Sequence, residues 1–330
     1  MTGVLREVPV ATLCLASIRL LPFAFLAFIW TSATQYCVAS SHSQAERKEA
    51  SPADLSAMPS PGDAVAQYKL AYFLLFDMRS TPDYVSAIHL LRSSASQHFA
   101  PAEFLLGYVY EHGRGVAVDF GKAAENYLAA AQQGDAGAEN NLGGLYQYGR
   151  GVPKDISLAF KWYSAAAQNG NAMGQYNLGT FYHRGYATPP DLVRAAQWFR
   201  AAADQGLAFA QANLAIFYFK GMGVPVDYAQ AAHWAQLAAA QGLPHASMNY
   251  AYLCEHGIGV PRDLLAAYIW YSRANAAGDK SGANHAKSLA HRLPRVQLDQ
   301  VNSQLATDAP HLPQSGTAAA NADVSFAENP

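Results

Sequence analysis

The sequence predicts an all-α protein built as a solenoid of helix-turn-helix units. Three observations predict it: a self-match at an offset of 36 residues, apolar stripes at helical spacing inside each period, and Gly and Asp residues where helices must stop and start. No stretch after residue 62 alternates apolar and polar residues with a period of two, so no sheet is expected.

The period is read from single positions. Leu106-Gly107, Leu142-Gly143 and Leu178-Gly179 recur as Leu214-Ala215 and Tyr250-Ala251, and Leu70-Ala71 stands one period earlier. A tyrosine follows four residues after the Leu at Tyr110, Tyr146, Tyr182 and Tyr218, and Cys254 takes its place in the last unit. Five full units span 100–279, preceded by a degenerate one over 63–99. In "AGAENNLGGLYQYG", Ala138, Leu142 and Tyr146 lie four apart and form the buried stripe of a first helix. Gly149 ends that helix in a left-handed cap, Gly151 keeps the turn open, and Asp155 caps the next helix. Ala159, Trp162, Tyr163 and Ala166 give the second helix its apolar face, and Gly170 stops it. A hairpin of this size cannot bury its own apolar faces, so each unit must form the core of the next. The repeated GxG pair therefore belongs to a helix C-terminus. Neither a preceding strand nor a third glycine supports a phosphate loop.

The flanks read differently. Arg6 and Arg19 precede "LLPFAFLAFIW", which is followed by small and polar residues, so 1–39 is expected to be a secretory signal cleaved after Ala39, with Ala33 as the second candidate. The rival is an uncleaved anchor over 8–30, interrupted by Arg19 and Pro22. Tyr36 is too large for a lipobox before Cys37. Residues 40–62 read as a linker, 280–305 as two capping helices broken at Pro294, and 306–330 as a disordered tail. Cleavage after Ala39 would leave Cys254 as the only thiol, so no disulfide framework exists and stability must come from packing.

The stretch "LGGLYQYGRGVPKDISLAFKWYSAAAQNG" (142–170) resembles a Sel-1-like repeat, the variant of the tetratricopeptide superfamily with a longer loop between its helices. The period of 36, the GxGV turn and the "WY..AA..G" of the second helix carry the resemblance. One turn departs from it: "GYATPPD" (185–191) places Ala187 at the second glycine position. The resemblance implies a right-handed α/α superhelix, first helices lining a concave face, and an adaptor or scaffold role. Signal-bearing bacterial members of such a family point to the periplasm or to secretion.

On the helical wheel, the residues two before and two, five and six after each motif Leu escape the core stripe and are expected to line the concave face. These are Phe104, Tyr108, Glu111 and His112, then Asn140, Gln147 and Tyr148, then Tyr176, Thr180, His183 and Arg184. Ile216, Phe219 and Lys220 follow, and last Met248, Tyr252, Glu255 and His256. Aromatic and Met side chains interleaved with charges suit a protein or peptide partner. A cell-envelope glycan is the second partner class, since exposed rings stack on sugars.

Chemistry beyond binding finds little support. The 11 histidines form no helical i, i+4 pair, so no metal is expected. Carboxylates are spread singly, mostly as helix caps such as Asp119 and Asp227, and neither a GxSxG elbow nor a Walker loop occurs. No cofactor and no catalytic residue is assigned, and a hydrolase is the weakest reading. A net charge of -2 gives no basic field to draw nucleic acid.

Overall fold

The computed structural model describes residues 62–76 and 81–308. Among these residues there are helices and turns and no strand. The helices are α1 (Ala64–Phe76), α2 (Tyr84–Ala95), α3 (Ala100–His112), α4 (Phe120–Gln132), α5 (Ala136–Tyr148), α6 (Ile156–Gln168) and α7 (Ala172–Arg184). They continue as α8 (Leu192–Asp204), α9 (Ala208–Lys220), α10 (Tyr228–Ala240), α11 (Pro244–His256), α12 (Leu264–Ala276), α13 (Ser281–Ala290) and α14 (Arg295–Asp308). The signal segment, the linker up to residue 61 and the chain from 309 lie outside the described residues. No described helix is long and apolar enough to cross a membrane.

Six helical hairpins run in tandem from α1–α2 to α11–α12, and each helix packs on the one before and the one after it. Their ends are made as the sequence requires. The carboxylate of Asp155 accepts from the backbone of Leu158 at 2.9 Å, and Asp119, Asp191, Asp227 and Asp263 cap their second helices in the same way. Gly149 ends α5 at φ 68°, in the left-handed region where a residue without Cβ is favoured. The Asp155 amide then donates back to the carbonyl of Tyr146 at 3.0 Å, closing the turn.

The second glycine of each turn has a role that the sequence does not display. A Cβ on Gly223 would sit 2.1 Å from the carbonyl oxygen of Leu192, the first residue of α8 in the preceding unit. On Gly151 it would sit 2.2 Å from the carbonyl carbon of Phe120, and on Gly259 2.0 Å from the carbonyl oxygen of Tyr228. This glycine is the point where one hairpin's turn touches the preceding hairpin's backbone, so it sets the stacking distance rather than merely keeping the turn open. The departing turn keeps both of its ends, with Gly185 at φ 68° and Asp191 donating to Tyr182 at 2.9 Å. Ala187 avoids the left-handed backbone and packs its methyl with Ile156 against the core.

Inside each hairpin a small residue faces an aromatic one. Gly143 lies under the ring of Tyr163, where a Cβ would come within 2.9 Å, and Gly179 lies in the same way under Phe199. The core is Leu142, Leu178, Leu214 and Leu253 with Tyr127, Phe181, Phe199 and Phe217, packed against alanines such as Ala195 and Ala202 that let neighbouring helices approach. Removing one such leucine side chain costs about 2–5 kcal/mol.

A polar ladder crosses the hairpins at the far end. Gln133 donates to Glu103 at 2.6 Å, Asn169 to Glu139 at 2.9 Å, Gln205 to Gln175 at 2.8 Å and Gln241 to Gln211 at 2.8 Å. Gln175 and Gln211 also donate to Ala167 and Ala203 of the preceding unit, at 3.3 and 3.2 Å.

At the C-terminal end α13 packs on α12 and buries Ala286 and Leu289, while α14 buries Val301. Helix α14 continues to Asp308, past the boundary of 305 read from the sequence.

Candidate functional site

First helices and second helices form the two sides of the array. Helix α5 touches α7 directly, through the Asn177 amide donating to the Asn140 side chain at 2.8 Å. Tyr176 of α7 reaches across to Phe209 of α9, with ring centroids 6.2 Å apart. No pair of consecutive second helices packs its backbones as closely as α5 and α7, although Arg200 of α8 lies over the Trp234 ring of α10 at 5.1 Å. The row of first helices is therefore the shorter, inner side, the side expected to bind.

The helical wheel misplaces part of that face. Phe104, Tyr108, Tyr176 and Ile216 are not groove residues: each is buried, with 9% or less of its surface exposed. They fill the space between consecutive first helices. The Phe104 ring lies against Gly137 of the following unit, where a Cβ would meet it at 3.1 Å, and Tyr108 stacks on His112 at 4.1 Å and reaches Phe76 at 6.4 Å. Asn140 is buried as well, apart from the edge it presents to a small hollow.

Residues five after the motif Leu are half-buried and turn toward their own second helix. Tyr127 donates its hydroxyl to Glu111 at 2.6 Å, Tyr163 to Gln147 at 2.8 Å and Tyr271 to Glu255 at 3.0 Å. In the fourth unit the partner is Phe199, and there His183 sits edge-on to Phe199 and Phe217, at 6.5 and 5.2 Å. Burial, and secondarily the nearby Arg184, hold the His183 pKa below its ordinary value, which favours the neutral ring. Phe219 is half-buried, edge-on to Tyr228 at 5.4 Å.

Residues six after the Leu are the ones that reach solvent. Tyr148, Arg184, Lys220 and His256 are exposed, and His112 is half-buried. Thr180, Met248 and Tyr252 are half-buried, Thr180 donating to the carbonyl of Tyr176 at 3.0 Å.

A recurring residue absent from the wheel reading stands in the middle of this face. Asn141, Asn177, Asn213 and Asn249 each immediately precede the motif residue, and Leu105 takes the position in the second unit. The first three are half-buried and Asn249 is buried. Their signal is the repeat itself: an amide recurs at one helical position without capping a helix, and Asn177 uses its amide to donate to Asn140 of the preceding unit at 2.8 Å. Asn140 donates to Asn141 at 3.2 Å, and Tyr176 is hydrogen-bonded to Asn213.

Beside Asn141 lies a hollow of about 140 Å³ lined by Glu111, Asn140, Asn141, Gly144, Leu145, Tyr148, Arg150 and Tyr163. It exists because Gly144 occupies the position that holds Tyr108, Thr180, Ile216 or Tyr252 in other units. Arg150 lies over the rings of Tyr148 and Phe120, at 5.5 and 5.7 Å, which holds its guanidinium at the mouth. A second, wider depression of about 420 Å³ lies on the outer side, lined by Tyr182, Arg194, Gln197, Trp198 and Ala201. Among the described residues no three His, Cys, Asp or Glu side chains converge on one point. Cys254 is buried, and its pKa is pushed up to about 11 by desolvation, so the thiol is neither ionised nor presented at the surface.

The family model for the Sel1 repeat matches this chain six times in unbroken succession, over 64–99, 100–135, 136–171, 172–207, 208–243 and 244–279. The chain belongs to the Sel1 repeat family. The hairpin at 64–99, which looks degenerate in sequence, is thus a repeat like the others. Solved structures are similar to it, among them two that are more than 30% identical. A protective antigen of uropathogenic Escherichia coli with an SLR fold, c5321, is 34% identical, with a TM-score of 0.69 over 77% of this chain. This chain spans 54% of that protein's length. A Sel1 repeat protein from Oxalobacter formigenes is 31% identical, with a TM-score of 0.56 over 66% of this chain and 84% of its own. A search of curated proteins found no match. Sel1 repeat proteins generally mediate protein–protein interactions, on a scaffold that is generally non-catalytic.

Proposed function

We propose that this Sel1 repeat protein is an exported, non-enzymatic scaffold that holds an extended protein segment along its first helices. The asparagine row supports this reading most. A primary amide both donates and accepts, so it pairs with a peptide backbone whatever the side-chain sequence. Helices that pack directly stand about 8–10 Å apart. An extended chain rises about 3.3 Å per residue, so one asparagine would meet roughly every third residue of the bound segment. The hollow over Gly144 then takes one of its side chains.

Selection from a random 14-residue peptide display library against the purified chain tests this reading. Peptides should be recovered, and their affinity should fall at least tenfold in a variant carrying Asn141→Ala, Asn177→Ala and Asn213→Ala with unchanged circular dichroism. No recovered peptide, or equal affinity for the variant, would overturn it.

Export rests on the sequence of residues 1–39. The mass of the chain recovered from a bacterial periplasm or medium should lack that segment. An intact chain retained in the cytoplasm would contradict it. The outer depression favours a second reading, in which Trp198 and Tyr182 stack on an envelope glycan beside Arg194 and Gln197. Co-sedimentation with peptidoglycan that is lost in Trp198→Ala would support that reading over the first.

A further inference from the structure

Two glycines stand side by side in α5, and only one of them has a packing reason. A Cβ on Gly143 would come within 2.9 Å of the Tyr163 ring, whereas a Cβ on Gly144 would find its nearest neighbour, the Tyr163 hydroxyl, at an ordinary 3.6 Å. Both lie inside the helix without a left-handed backbone, so neither crowding nor a turn demands glycine at 144. Glycine in a helix interior is less stable than alanine, and the corresponding residues Tyr108, Thr180, Ile216 and Tyr252 are all larger. What Gly144 leaves is the hollow between α3 and α5, and keeping it open at the helix's expense points to a group that enters it.

The walls define the chemistry of that group. At roughly 30 Å³ for a water-sized group, a hollow of about 140 Å³ admits about four or five heavy atoms, fewer than any aromatic side chain or arginine carries. The charged groups lining it are one carboxylate, Glu111, and one guanidinium, Arg150. The signs balance around it as well: Lys154 and Asp155 follow Arg150 in the same turn, and Lys122 pairs with Asp119 at 2.9 Å at the turn before. No net charge therefore selects an anion or a cation. Glu111 accepts from the Tyr127 hydroxyl at 2.6 Å through Oε2, which leaves Oε1 to take a further donor. Asn177 donates to Asn140 at 2.8 Å and Asn140 to Asn141 at 3.2 Å, so this chain of amides ends on the side-chain nitrogen of Asn141, a donor.

We propose that the hollow over Gly144 is a specificity pocket for a glutamine or asparagine side chain of the bound segment, whose NH2 donates to Glu111 and whose carbonyl accepts from Asn141. This rests on the groove reading above and names the residue that the hollow admits. A carboxylate of the same size would face Glu111, and an ammonium would have to pass Arg150. An apolar side chain would strip water from Glu111 and Asn141 without replacing its hydrogen bonds.

The display selection decides it. Recovered peptides should share glutamine or asparagine at one position, and replacing that residue by methionine, glutamate or lysine in the best peptide should weaken binding at least tenfold. Gly144→Thr, which copies Thr180, should weaken binding of the amide-bearing peptide at least tenfold, while the same peptide with alanine at that position binds both forms alike. Gly144→Ala should denature in urea at a midpoint no lower than wild type, because its methyl meets nothing closer than 3.6 Å. A pool without a shared amide position, equal affinity of the amide-bearing peptide for wild type and Gly144→Thr, or an equal loss for the alanine peptide would overturn this inference and leave the groove reading standing. A Gly144→Ala midpoint below wild type would show that the glycine is structural, with the same consequence. An empty pool would remove both readings. N-acetylglutaminamide bound as tightly as the best peptide would make the hollow a small-molecule site and overturn its assignment to a segment.

Discussion

The stacking distance between units depends on a glycine that the chain could replace only at a steric cost, and two glycine-to-alanine changes separate that cost from backbone strain. Gly206 and Gly223 both have left-handed backbones, at φ 87° and 68°. In Gly206→Ala the new methyl meets nothing within 4 Å, so the change carries only the left-handed penalty, about 1–2 kcal/mol. In Gly223→Ala the methyl would lie 2.1 Å from the Leu192 carbonyl oxygen and 2.3 Å from its carbon. The two hairpins would have to part by about 1 Å, an overpacking cost of roughly 1–3 kcal/mol on top of the first penalty, so the total is about 2–5 kcal/mol. Urea denaturation followed by circular dichroism at 222 nm reads the difference, with the transition slope checked because repeat arrays can lose cooperativity. Gly223→Ala should lower the midpoint clearly more than Gly206→Ala. Equal midpoints would refute the idea that this glycine sets the spacing of the units.

Other expectations follow from buried groups. Glu103 and Glu139 have pKa values raised above the ordinary 4.5 by burial, so the folded chain holds their protons more tightly than the unfolded one. Their contribution is fully present below that ordinary value and is lost as pH rises through the raised one. Glu103→Gln with Glu139→Gln, which copies Gln175 and Gln211, should therefore raise the denaturation midpoint at pH 7 and change it little at pH 4. A lower midpoint at pH 7 would contradict the burial account. Tyr163→Phe removes a hydroxyl donor to Gln147 and should cost about 0.5–1.5 kcal/mol in the same assay, and a neutral or stabilising result would show that the bond is not made in solution. Cys254 should resist a disulfide reagent such as DTNB in the native chain and react at once in denaturant. Fast native labelling would place it at the surface.

The period, the caps and the hairpin cores were legible because each is decided within one unit. Gly143 and Tyr163 meet inside a hairpin, and Gly149 and Asp155 act on their own helix ends. The groove was only partly legible because its shape is decided between units. A helical wheel drawn for one helix counts Phe104 and Tyr176 as outward, yet the next unit's first helix covers them, through Gly137 and Phe209. It also counts Glu111, Gln147 and Glu255 as groove residues, although each accepts a hydroxyl from its own second helix. The asparagine row lay open to view at one fixed position. It sits beside the motif Leu, where the wheel assigns neither core nor groove, so only its recurrence marks it.

The most direct test of the binding face is a nuclear magnetic resonance titration of the isotope-labelled chain with a peptide recovered from the display selection. The side-chain amide signals of Asn141, Asn177 and Asn213 should shift together, while the indole signals of Trp162 and Trp198 on the second helices stay in place. Indole shifts with unmoved asparagine amides would put the partner on the outer side and contradict the account.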